Sequence, residues 1–382
     1  MGRGIKQWPF LFASLIWALV AFPAAPASAA EPTLYQLPDA THAGGLTTGP
    51  DGALWFAGNH GSEHAGGEGA FVGRWDPVAG LTEFALPSSR RIGTPAVSAG
   101  GEVWLPGGAS NRRGYQVARV GSLSSSGQLQ DYTLGNRVGG VNSVATLDGA
   151  VWFAASRWID GRARTTIGWI AAGDGAVHQV PLPPRCGADA IAAGATAVWF
   201  TESCWRSYNT RSGHRGSIGR IDRAGKITRY PVSPRFEAIS IAVGADGSVW
   251  FGESQVKGFH SRIGRIAPSG RVVEFRVPNA GWLHSLAVGP EGRLWFPSRS
   301  PSVAGGYVTR ALNSIGPAGD TGEPICLDPE CKLEPTGLTA GPDGSVWFSA
   351  ARGRSGGGGG ETAFWETHVI TNEAGYIGRL PG

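Results

Sequence analysis

The chain has 382 residues and is poor in charge, with charged residues making up 16% of it, against about 25% in an average soluble domain. A disordered chain is depleted of aromatic rings, but aromatic residues make up 10% of this one, so disorder is excluded. Long segments of Ala, Leu, Glu and Lys are missing, while Gly (61) and Trp (15) are abundant and neither is a strong helix former. The composition therefore predicts an all-β chain of many short strands and turns.

Long apolar runs are also scarce, since the only one covers residues 8–22. It follows Arg3 and Lys6 and precedes small residues at 27–30, an arrangement typical of a signal peptide. The run is too short for a comfortable span of a bilayer. We therefore expect a signal peptide at 1–30, a single soluble domain at 31–382, and export to the periplasm or the medium.

Runs of basic residues are absent as well. Without Arg3 and Lys6, 31 of the 33 basic residues remain against 29 acidic ones, so the charge is nearly balanced. A nucleic-acid partner would require a basic patch or stripe. We expect no nucleic-acid partner, no membrane span and a monomer.

What the sequence does contain is one unit repeated seven times. Each unit centres on a Trp followed by Phe or Leu, at intervals of 45–52 residues: Trp55, Trp104, Trp152, Trp199, Trp250, Trp295 and Trp347. The fifth unit contains four short segments, at 239–243, 249–252, 263–266 and 272–278, with Asp-Gly and Ser-Gly turns typical of tight hairpins. Four antiparallel strands repeated seven times predict a seven-bladed β-propeller of four-stranded antiparallel blades.

The seventh unit ends on its third segment, at 377–380. Its fourth strand is expected from the other end of the chain, because residues 34–38 read like the fourth segment of the first unit at 82–87. The N-terminal strand is then predicted to join the last blade, which closes the ring and covers its open edge.

The chain has four cysteines, Cys186, Cys204, Cys326 and Cys331. An even number in an exported chain predicts disulfides, and the sequence alone allows three pairings. We favour Cys186–Cys204 and Cys326–Cys331, because each pair lies within one unit. A zinc site is disfavoured, since no second pair and no His occur at ligand spacing.

One face of the predicted propeller is expected to carry function, because the variation in length lies in the loops after the second strands. The longest of these loops contains a run of glycines at 356–360. The turns after the first and third strands are short. Their Asp-Gly sequences lack the clustered carboxylates of a calcium loop, so we interpret them as turns only.

Two sets of side chains are expected at this face. One lies at the start of each first strand: Gly44, Pro95, Asn142, Asp189, Ile239, His284 and Thr336. The other follows each Trp-Phe or Trp-Leu pair by two residues: Gly58, Gly107, Ala155, Glu202, Glu253, Ser298 and Ala350. We expect the polar members to bind a polar ligand or a cation at the channel mouth, and name His284, Asn142, Asp189, Glu202 and Glu253. The alternative is that these residues only solvate the mouth.

The unit Gly-x-Asp-Gly-x-Val-Trp-Phe-x-Glu at 244–253, followed by Ile-Gly-Arg-Ile at 263–266, resembles the repeat of the virginiamycin B lyase (streptogramin B lyase) family. The resemblance covers all seven units. It implies a seven-bladed propeller that opens a cyclic depsipeptide antibiotic by elimination, with Mg²⁺ polarising the ester region and a histidine as base. That chemistry needs a base of near-neutral pKa and carboxylates for a hard cation.

The resemblance carries over to four positions in the last two units. His284 matches a substrate-contacting histidine, and the family motif Glu-Pro-His-Gly reads Glu-Pro-Thr-Gly at 334–337. Glu334 therefore matches a magnesium ligand, whereas the base position is Thr336, whose hydroxyl does not accept a proton near neutral pH. The second metal carboxylate would stand at Ala350. The implied catalytic set is incomplete, and Mg²⁺ binding would depend on Glu334.

The favoured function is an exported lyase-like propeller that binds a small molecule, peptide or glycan at its mouth, with lost or altered catalysis. The first alternative is an active magnesium-dependent carbon–oxygen lyase, in which His368 or Glu361 of the long last loop replaces the base. The second is a metal-dependent, lactonase-like hydrolase, which would share the segment Gly-Pro-Asp-Gly-x-Leu-Trp-Phe at 49–56. Whether the protein is an enzyme stays open at this point.

Overall fold

A computed structural model describes residues 31–38, 41–60, 69–88, 90–110, 116–159, 162–205, 213–256, 260–277, 280, 283–299, 309–355 and 370–381. All of these lie in one contact unit, Glu31–Gly382. The signal peptide predicted at 1–30 lies outside the described residues and stays a prediction, as do the domain limits. Among the described residues, no helix is long and apolar enough to cross a membrane.

The described residues form seven blades of antiparallel strands, as the repeats predict. The first strand is β1 (Thr33–Gln36), and blade 1 follows with β2 (Thr41–Thr48), β3 (Leu54–His60), β4 (Ala70–Asp76) and β5 (Gly80–Ala85). Blade 2 has β6 (Arg90–Ile92), β7 (Ala96–Val97), β8 (Val103–Leu105), β9 (Gly107–Ser110), β10 (Gln116–Leu123) and the first part of β11 (Leu129–Leu147). The second part of β11 opens blade 3, which continues with β12 (Ala150–Ile159), β13 (Arg162–Ile170) and β14 (Val177–Pro181).

The remaining blades repeat this order. Blade 4 has β15 (Cys186–Gly187), β16 (Ile191–Ala193), β17 (Ala197–Cys204), β18 (Arg215–Asp222) and β19 (Ile227–Pro231). Blade 5 has β20 (Phe236–Val243), β21 (Val249–Gln255), β22 (Ser261–Ile266) and β23 (Val272–Arg276). Blade 6 has β24 (Ala287–Val288), a single 3-10 turn at Pro290–Gly292, β25 (Leu294–Arg299), β26 (Thr309–Ile315) and β27 (Ile325–Cys326). Blade 7 has β28 (Leu333–Ala340), β29 (Val346–Ser355) and β30 (Ile370–Leu380).

The N-terminal strand completes blade 7, which confirms the predicted closure of the ring. β1 pairs antiparallel with β30, from Thr33 opposite Arg379 to Gln36 opposite Tyr376. The sheet order in this blade is β1-β30-β29-β28. Because β1 covers the edge of β30, that edge is not open to pairing with another chain.

The Trp-Phe pairs pack between neighbouring blades, one residue on each side of the second strand, with Trp199 and Trp295 partly buried. In blade 5, Phe251 packs with Ile218 of blade 4, whereas Trp250 packs with Phe296 of blade 6. Phe251 also lies flat on Gly264 of the third strand, where a Cβ would come within 2.0 Å of the ring. The glycine of the Ile-Gly-Arg segment is thus required by the close approach of a ring, and the same contact recurs in blades 1, 3, 4 and 7.

The aspartates of the Asp-Gly turns hold the turn and bind an arginine of the third strand. In blade 5, Asp246 accepts the backbone N–H of Ser248 at 2.9 Å and pairs with Arg265, which lies over Trp250. Blades 1 and 7 repeat this arrangement with Asp51, Arg74 and Trp55, and with Asp343, Arg379 and Trp347. These carboxylates are therefore structural groups of the turns.

Both predicted disulfides form. Cys186 lies opposite Cys204 in the pairing of β15 with β17 and is bonded to it. Cys326 of β27 is bonded to Cys331 in the connection to blade 7. Each bond therefore closes a loop near the start of an inner strand. Among the described residues no cysteine is free.

Candidate functional site

The inner strands of all seven blades line a channel of about 570 Å³. Its walls are formed by small and aliphatic residues mixed with serine and threonine, and His284 is the lining residue with an imidazole ring. Thr336 lies in the same wall. The channel therefore offers an apolar wall with a few hydrogen-bonding groups, as small-molecule sites commonly do.

The residues predicted at the mouth lie where the ladder between the first and second strands is interrupted. The register shifts at Asn142 in blade 3, at Ile239 in blade 5 and at Thr336 in blade 7. In blade 4, Asp189 lies between β15 and β16. A bulge re-aims a side chain away from the regular face of a strand, which explains how one residue of the inner strand is directed to the mouth in blades 3, 5 and 7.

Three of these interruptions also join one blade to the next. Asn142 Nδ2 donates to the carbonyl oxygen of Ala188 at 2.8 Å, and Ser240, next to Ile239, donates to that of Leu283. Thr336 Oγ1 lies 2.8 Å from the carbonyl oxygen of Ala43. Each acceptor directly precedes a mouth residue of the following blade. The three hydrogen bonds therefore join blade 3 to blade 4, blade 5 to blade 6 and blade 7 to blade 1 around the mouth.

Thr336 stands where the resemblance expects a catalytic base. Besides the Ala43 carbonyl oxygen, its Oγ1 lies 2.8 Å from Oγ of Ser349, which itself lies 2.8 Å from the carbonyl oxygen of Gly44. Two hydroxyl protons therefore serve three close contacts, of which one lies within blade 7 and two join blade 7 to blade 1. The hydroxyl of Thr336 takes part in closing the ring.

Asp189 and His284 lie at the mouth on blades 4 and 6. Both side chains have solvent-exposed surface, but the protein around them removes much of the water near their titrating groups. This desolvation, with the nearby Glu237 as a second cause, raises the pKa of Asp189 to about 6. Desolvation likewise lowers the pKa of His284. Both groups are therefore less charged near neutral pH than free side chains are.

The residues expected to hold magnesium do not make a site for it. Nε of Arg310 lies 3.5 Å from Oε1 of Glu334, so a cation already stands beside this carboxylate. Ala350 is buried and offers no oxygen ligand from its side chain. Mg²⁺ prefers six oxygen ligands and carboxylate charge, and one carboxylate beside a guanidinium does not fit that demand.

The described residues contain one other group with metal-ligating atoms close together, formed by Cys186, Glu202 and Cys204. The two cysteines are joined in a disulfide. Nε of Arg229 donates to Oε2 of Glu202 at 2.6 Å and its NH2 group to Oε1 at 2.9 Å. This cluster is therefore a disulfide next to an ion pair.

Glu202 was expected to bind substrate, and its carboxylate is buried in an ion pair with Arg229. Glu202 is 2% exposed, and Ser217 donates a further hydrogen bond to its Oε2 at 2.8 Å. The carboxylate lies on the same side of β17 as Phe200, which packs against blade 3. Both of its oxygens accept hydrogen bonds, and Glu202 is not among the residues that line the channel. Its expected role in binding stays a prediction.

Glu253 occupies the same place in blade 5. It is fully buried, and neither carboxylate oxygen has a hydrogen-bond partner among the described residues. Desolvation, with Glu274 as a second cause and Arg262 opposing both, raises its pKa to about 8. Glu253 is not among the residues that line the channel, and its expected role in ligand binding stays a prediction.

Sequence reasoning missed the residues that determine the state of these two glutamates. Arg229 on the fourth strand of blade 4 neutralises Glu202, and the corresponding residue in blade 5 is Glu274. The change from arginine to glutamate at one position of the repeat was the available signal. The glycine run at 356–360, Glu361 and His368 lie outside the described residues.

The virginiamycin B lyase family matches residues 156–348, half of the chain. This range runs from blade 3 into blade 7 and includes His284, Glu334 and Thr336. No curated protein sequence gives a significant match.

Solved structures with similar folds share little sequence with this chain. A prolyl endopeptidase aligns with a TM-score of 0.56 and 14% identity, over 82% of this chain and 45% of that one. The β-propeller domain of the trilobed protease from Pyrococcus furiosus aligns with a TM-score of 0.55 and 11% identity, over 89% and 93%. A GH74 enzyme of Niastella koreensis aligns with a TM-score of 0.53 and 11% identity, over 84% of this chain and 53% of that one. This chain spans less than half of the endopeptidase, and such likeness shows the fold alone.

The repeat, the seven blades and the family match together place the chain in the virginiamycin B lyase family.

Proposed function

We propose that this protein is an exported member of the family that binds a polar ligand at the channel mouth and does not carry out the magnesium-dependent elimination. The observation that carries the proposal is the place of Thr336. At the position of the base, its hydroxyl is bonded into the seam between blades 7 and 1. A threonine hydroxyl has no proton-accepting capacity near neutral pH, and this one serves the scaffold.

The metal positions support the same conclusion. The elimination needs a cation that polarises the ester, and a cation of this kind is held by several carboxylate oxygens. In this chain Glu334 lies beside Arg310 and the second position is Ala350. These two positions therefore do not supply the carboxylate oxygens that magnesium would need.

The chemistry of the mouth supports binding of a polar, largely uncharged ligand. The lowered pKa of His284 keeps its imidazole neutral near pH 7, where it can donate one hydrogen bond and accept another. Asp189 adds a carboxyl whose pKa of about 6 lies close to neutrality. The channel of about 570 Å³ is large enough for part of a peptide, a glycan or a small molecule. The two disulfides support export, because such bonds persist in oxidising compartments.

The test uses the purified chain from residue 31 and a type B streptogramin, with and without Mg²⁺. Binding is measured by calorimetry, and the antibiotic is then examined by chromatography and tandem mass spectrometry. We expect binding without an opened ring. A linear product of unchanged mass would establish elimination, and a product heavier by one water would establish hydrolysis; either result overturns the proposal.

The matched variants restore the missing groups. Thr336→His with Ala350→Glu supplies the base and the second carboxylate, and we expect ring opening that depends on Mg²⁺. Asn142→His with Ala350→Glu is the control, because it places an imidazole at the corresponding position of blade 3. If both double variants remain inactive while the wild type binds no antibiotic, the mouth does not take this ligand and the proposal fails.

A further inference from the structure

Glu253 is a carboxyl group without a compensating charge in direct contact. It is 0% exposed, and both of its oxygens lack a hydrogen-bond donor among the described residues. Arg262 lies directly opposite it in the pairing of β21 with β22. However, NH1 of Arg262 donates to Oε2 of Glu274 at 2.6 Å, and its guanidinium lies 3.8 Å from the ring centre of Phe236. One arginine therefore stands between two carboxyl groups and serves one of them.

The charged and titratable groups around Glu253 come from each element packed against it. Arg262 lies on β22, and Glu274 and Arg276 lie on β23, with Arg276 opposite Arg262. Glu237 lies on β20, opposite Ser254. Blade 4, which Glu253 faces, contributes His214, whose ring lies near the start of β20 with Nδ1 3.3 Å from the carbonyl oxygen of Pro234. Desolvation and Glu274 hold the pKa of Glu253 at about 8, against the attraction of Arg262.

The backbone next to Glu253 is in close contact with the segment that carries His284. Side chains alternate along a strand, so Glu253 faces blade 4 while Gly252 faces blade 6. A Cβ on Gly252 would lie 2.7 Å from Cβ of Leu283 and 2.5 Å from Oγ of Ser240. Ser240 donates to the carbonyl oxygen of Leu283, the residue before His284. There is no free space between β21 and the mouth segment of blade 6, so a displacement of β21 would be transmitted to it.

We propose that Glu253, Arg262 and Glu274 form a proton-operated switch that sets the position of His284 at the channel mouth. While Glu253 keeps its proton, Arg262 pairs with Glu274. When Glu253 releases its proton to solvent, the new carboxylate competes for Arg262, which moves away from Glu274 and the ring of Phe236. A buried carboxylate without a partner is strongly disfavoured. The movement of Arg262 gives the ionised Glu253 a charge partner.

The consequence for ligands rests on the proposed function of the mouth. Because His284 shifts with Glu253, the affinity of a ligand that contacts His284 changes as the pH passes through the titration of Glu253. The switch itself does not depend on which ligand binds, so it can be tested without one.

The test follows the ring protons of His284 by NMR from pH 6 to pH 10, with the resonance assigned through a His284→Gln variant. In the wild type we expect a second inflection near pH 8, above the titration of the imidazole itself. Glu253→Gln, which cannot ionise, is expected to lose this inflection. Glu253→Asp keeps a titratable carboxyl and is expected to retain an inflection at a shifted pH.

The matched control is Glu202→Gln, the same substitution in blade 4, which is expected to leave the inflection in place. An inflection that persists in Glu253→Gln, or that is absent from the wild type, overturns the proposal. A parallel calorimetric titration with a type B streptogramin at pH 7 and pH 9 is expected to show an affinity change of about fivefold that Glu253→Gln removes. Failure of the antibiotic to bind at either pH contradicts the proposed function alone, because the resonance test decides the switch.

Discussion

In blade 4, Glu202 is buried and accepts hydrogen bonds from Arg229 and Ser217, whereas in blade 5, Glu253 is buried at the same position without a donor. The two glutamates follow the same Trp-Phe pair by the same two residues. The blades differ in where the arginine stands. It lies on the fourth strand in blade 4, where it reaches Glu202, and on the third strand in blade 5, where it is bonded to Glu274.

The different surroundings of Glu202 and Glu253 show that equivalent positions of a repeat share backbone geometry but not electrostatics. From the third strand, Ser217 lies opposite Glu202 and Arg262 lies opposite Glu253. On the fourth strand, Arg229 and Glu274 occupy equivalent positions diagonal to these pairs, while Pro231 and Arg276 lie directly opposite Ser217 and Arg262. In blade 4 the arginine is thus paired with the buried glutamate itself, whereas in blade 5 Arg262 is paired with a second carboxyl group, Glu274. A second negative charge near the first is disfavoured, so one group of blade 5 keeps its proton.

The largest effect is expected from removing the cation of blade 4. Arg229→Met leaves the carboxylate of Glu202, which is 2% exposed, without its charge partner. Breaking a buried pair in this way typically costs about 3–5 kcal/mol. We expect the low end, about 3 kcal/mol, because Arg229 is 39% exposed and water will replace part of what it contributes. Urea unfolding at pH 7 measures the loss.

The matched control for this change is Arg262→Met in blade 5. Its partner Glu274 is 24% exposed and also accepts the backbone N–H of Ser233, so we expect a smaller loss than in blade 4. Adding Glu202→Gln to Arg229→Met is expected to recover most of the lost stability, since the orphaned charge is then gone. Equal losses from the two single variants would show that the two blades do not differ as the contacts indicate.

A smaller effect, which depends on pH, is expected from Glu253→Gln. The carboxyl of Glu253 has a pKa of about 8 when folded and near 4.5 when unfolded. Between these values the folded state holds a proton that the unfolded state has released. The stability that Glu253 contributes is therefore fully present below pH 4.5, falls as the pH rises, and is lost above pH 8. The slope is about 1.4 kcal/mol per pH unit.

Unfolding free energies of the wild type and of Glu253→Gln should therefore diverge between pH 6.5 and pH 8, with the variant gaining about 1.4 kcal/mol per unit relative to the wild type. The prediction concerns how the difference in unfolding free energy changes with pH and not its absolute size. The buried glutamine amide changes the stability of the variant by the same amount at every pH. Asp189 titrates at about pH 6, below this window. A difference that stays flat across the window would mean that Glu253 is already ionised in the folded protein.

Much of the fold could be predicted from the sequence because the propeller repeats local chemistry. The Trp-Phe pairs, the glycine that lies under the ring of Phe251, and the cysteines within one unit are all readable within about fifty residues. The closure of the ring by β1 was also predictable, because a missing fourth strand at one end matched a spare strand at the other.

The site was predictable only in part. The position of Thr336 and His284 on the inner strands follows from the repeat, but the orientation of Glu202 and Glu253 does not follow from their distance to the Trp-Phe pair. Both side chains lie on second strands, on the same side as Phe200 and Phe251, which pack towards the preceding blade. Neither glutamate is among the residues that line the channel. Their surroundings are set by contacts such as that of Glu202 with Arg229, 27 positions away, and no local pattern determines such contacts.

The smallest effect is expected from giving blade 5 the charges of blade 4. Arg262→Ser with Glu274→Arg places a guanidinium where Arg229 stands in blade 4 and leaves one carboxylate for one cation. Glu253 should then ionise with a folded pKa below 4.5, so its contribution to stability is present above that pH and no longer falls between pH 6.5 and pH 8. The exchange also removes the contact of Arg262 with Phe236 and the bond from Ser233 to Glu274. We therefore expect a net gain of only about 1 kcal/mol at pH 8, measured by urea unfolding. If the stability of the double variant still falls between pH 6.5 and pH 8, the ionisation of Glu253 is controlled by the exposed faces of the blade and not by the position of the arginine.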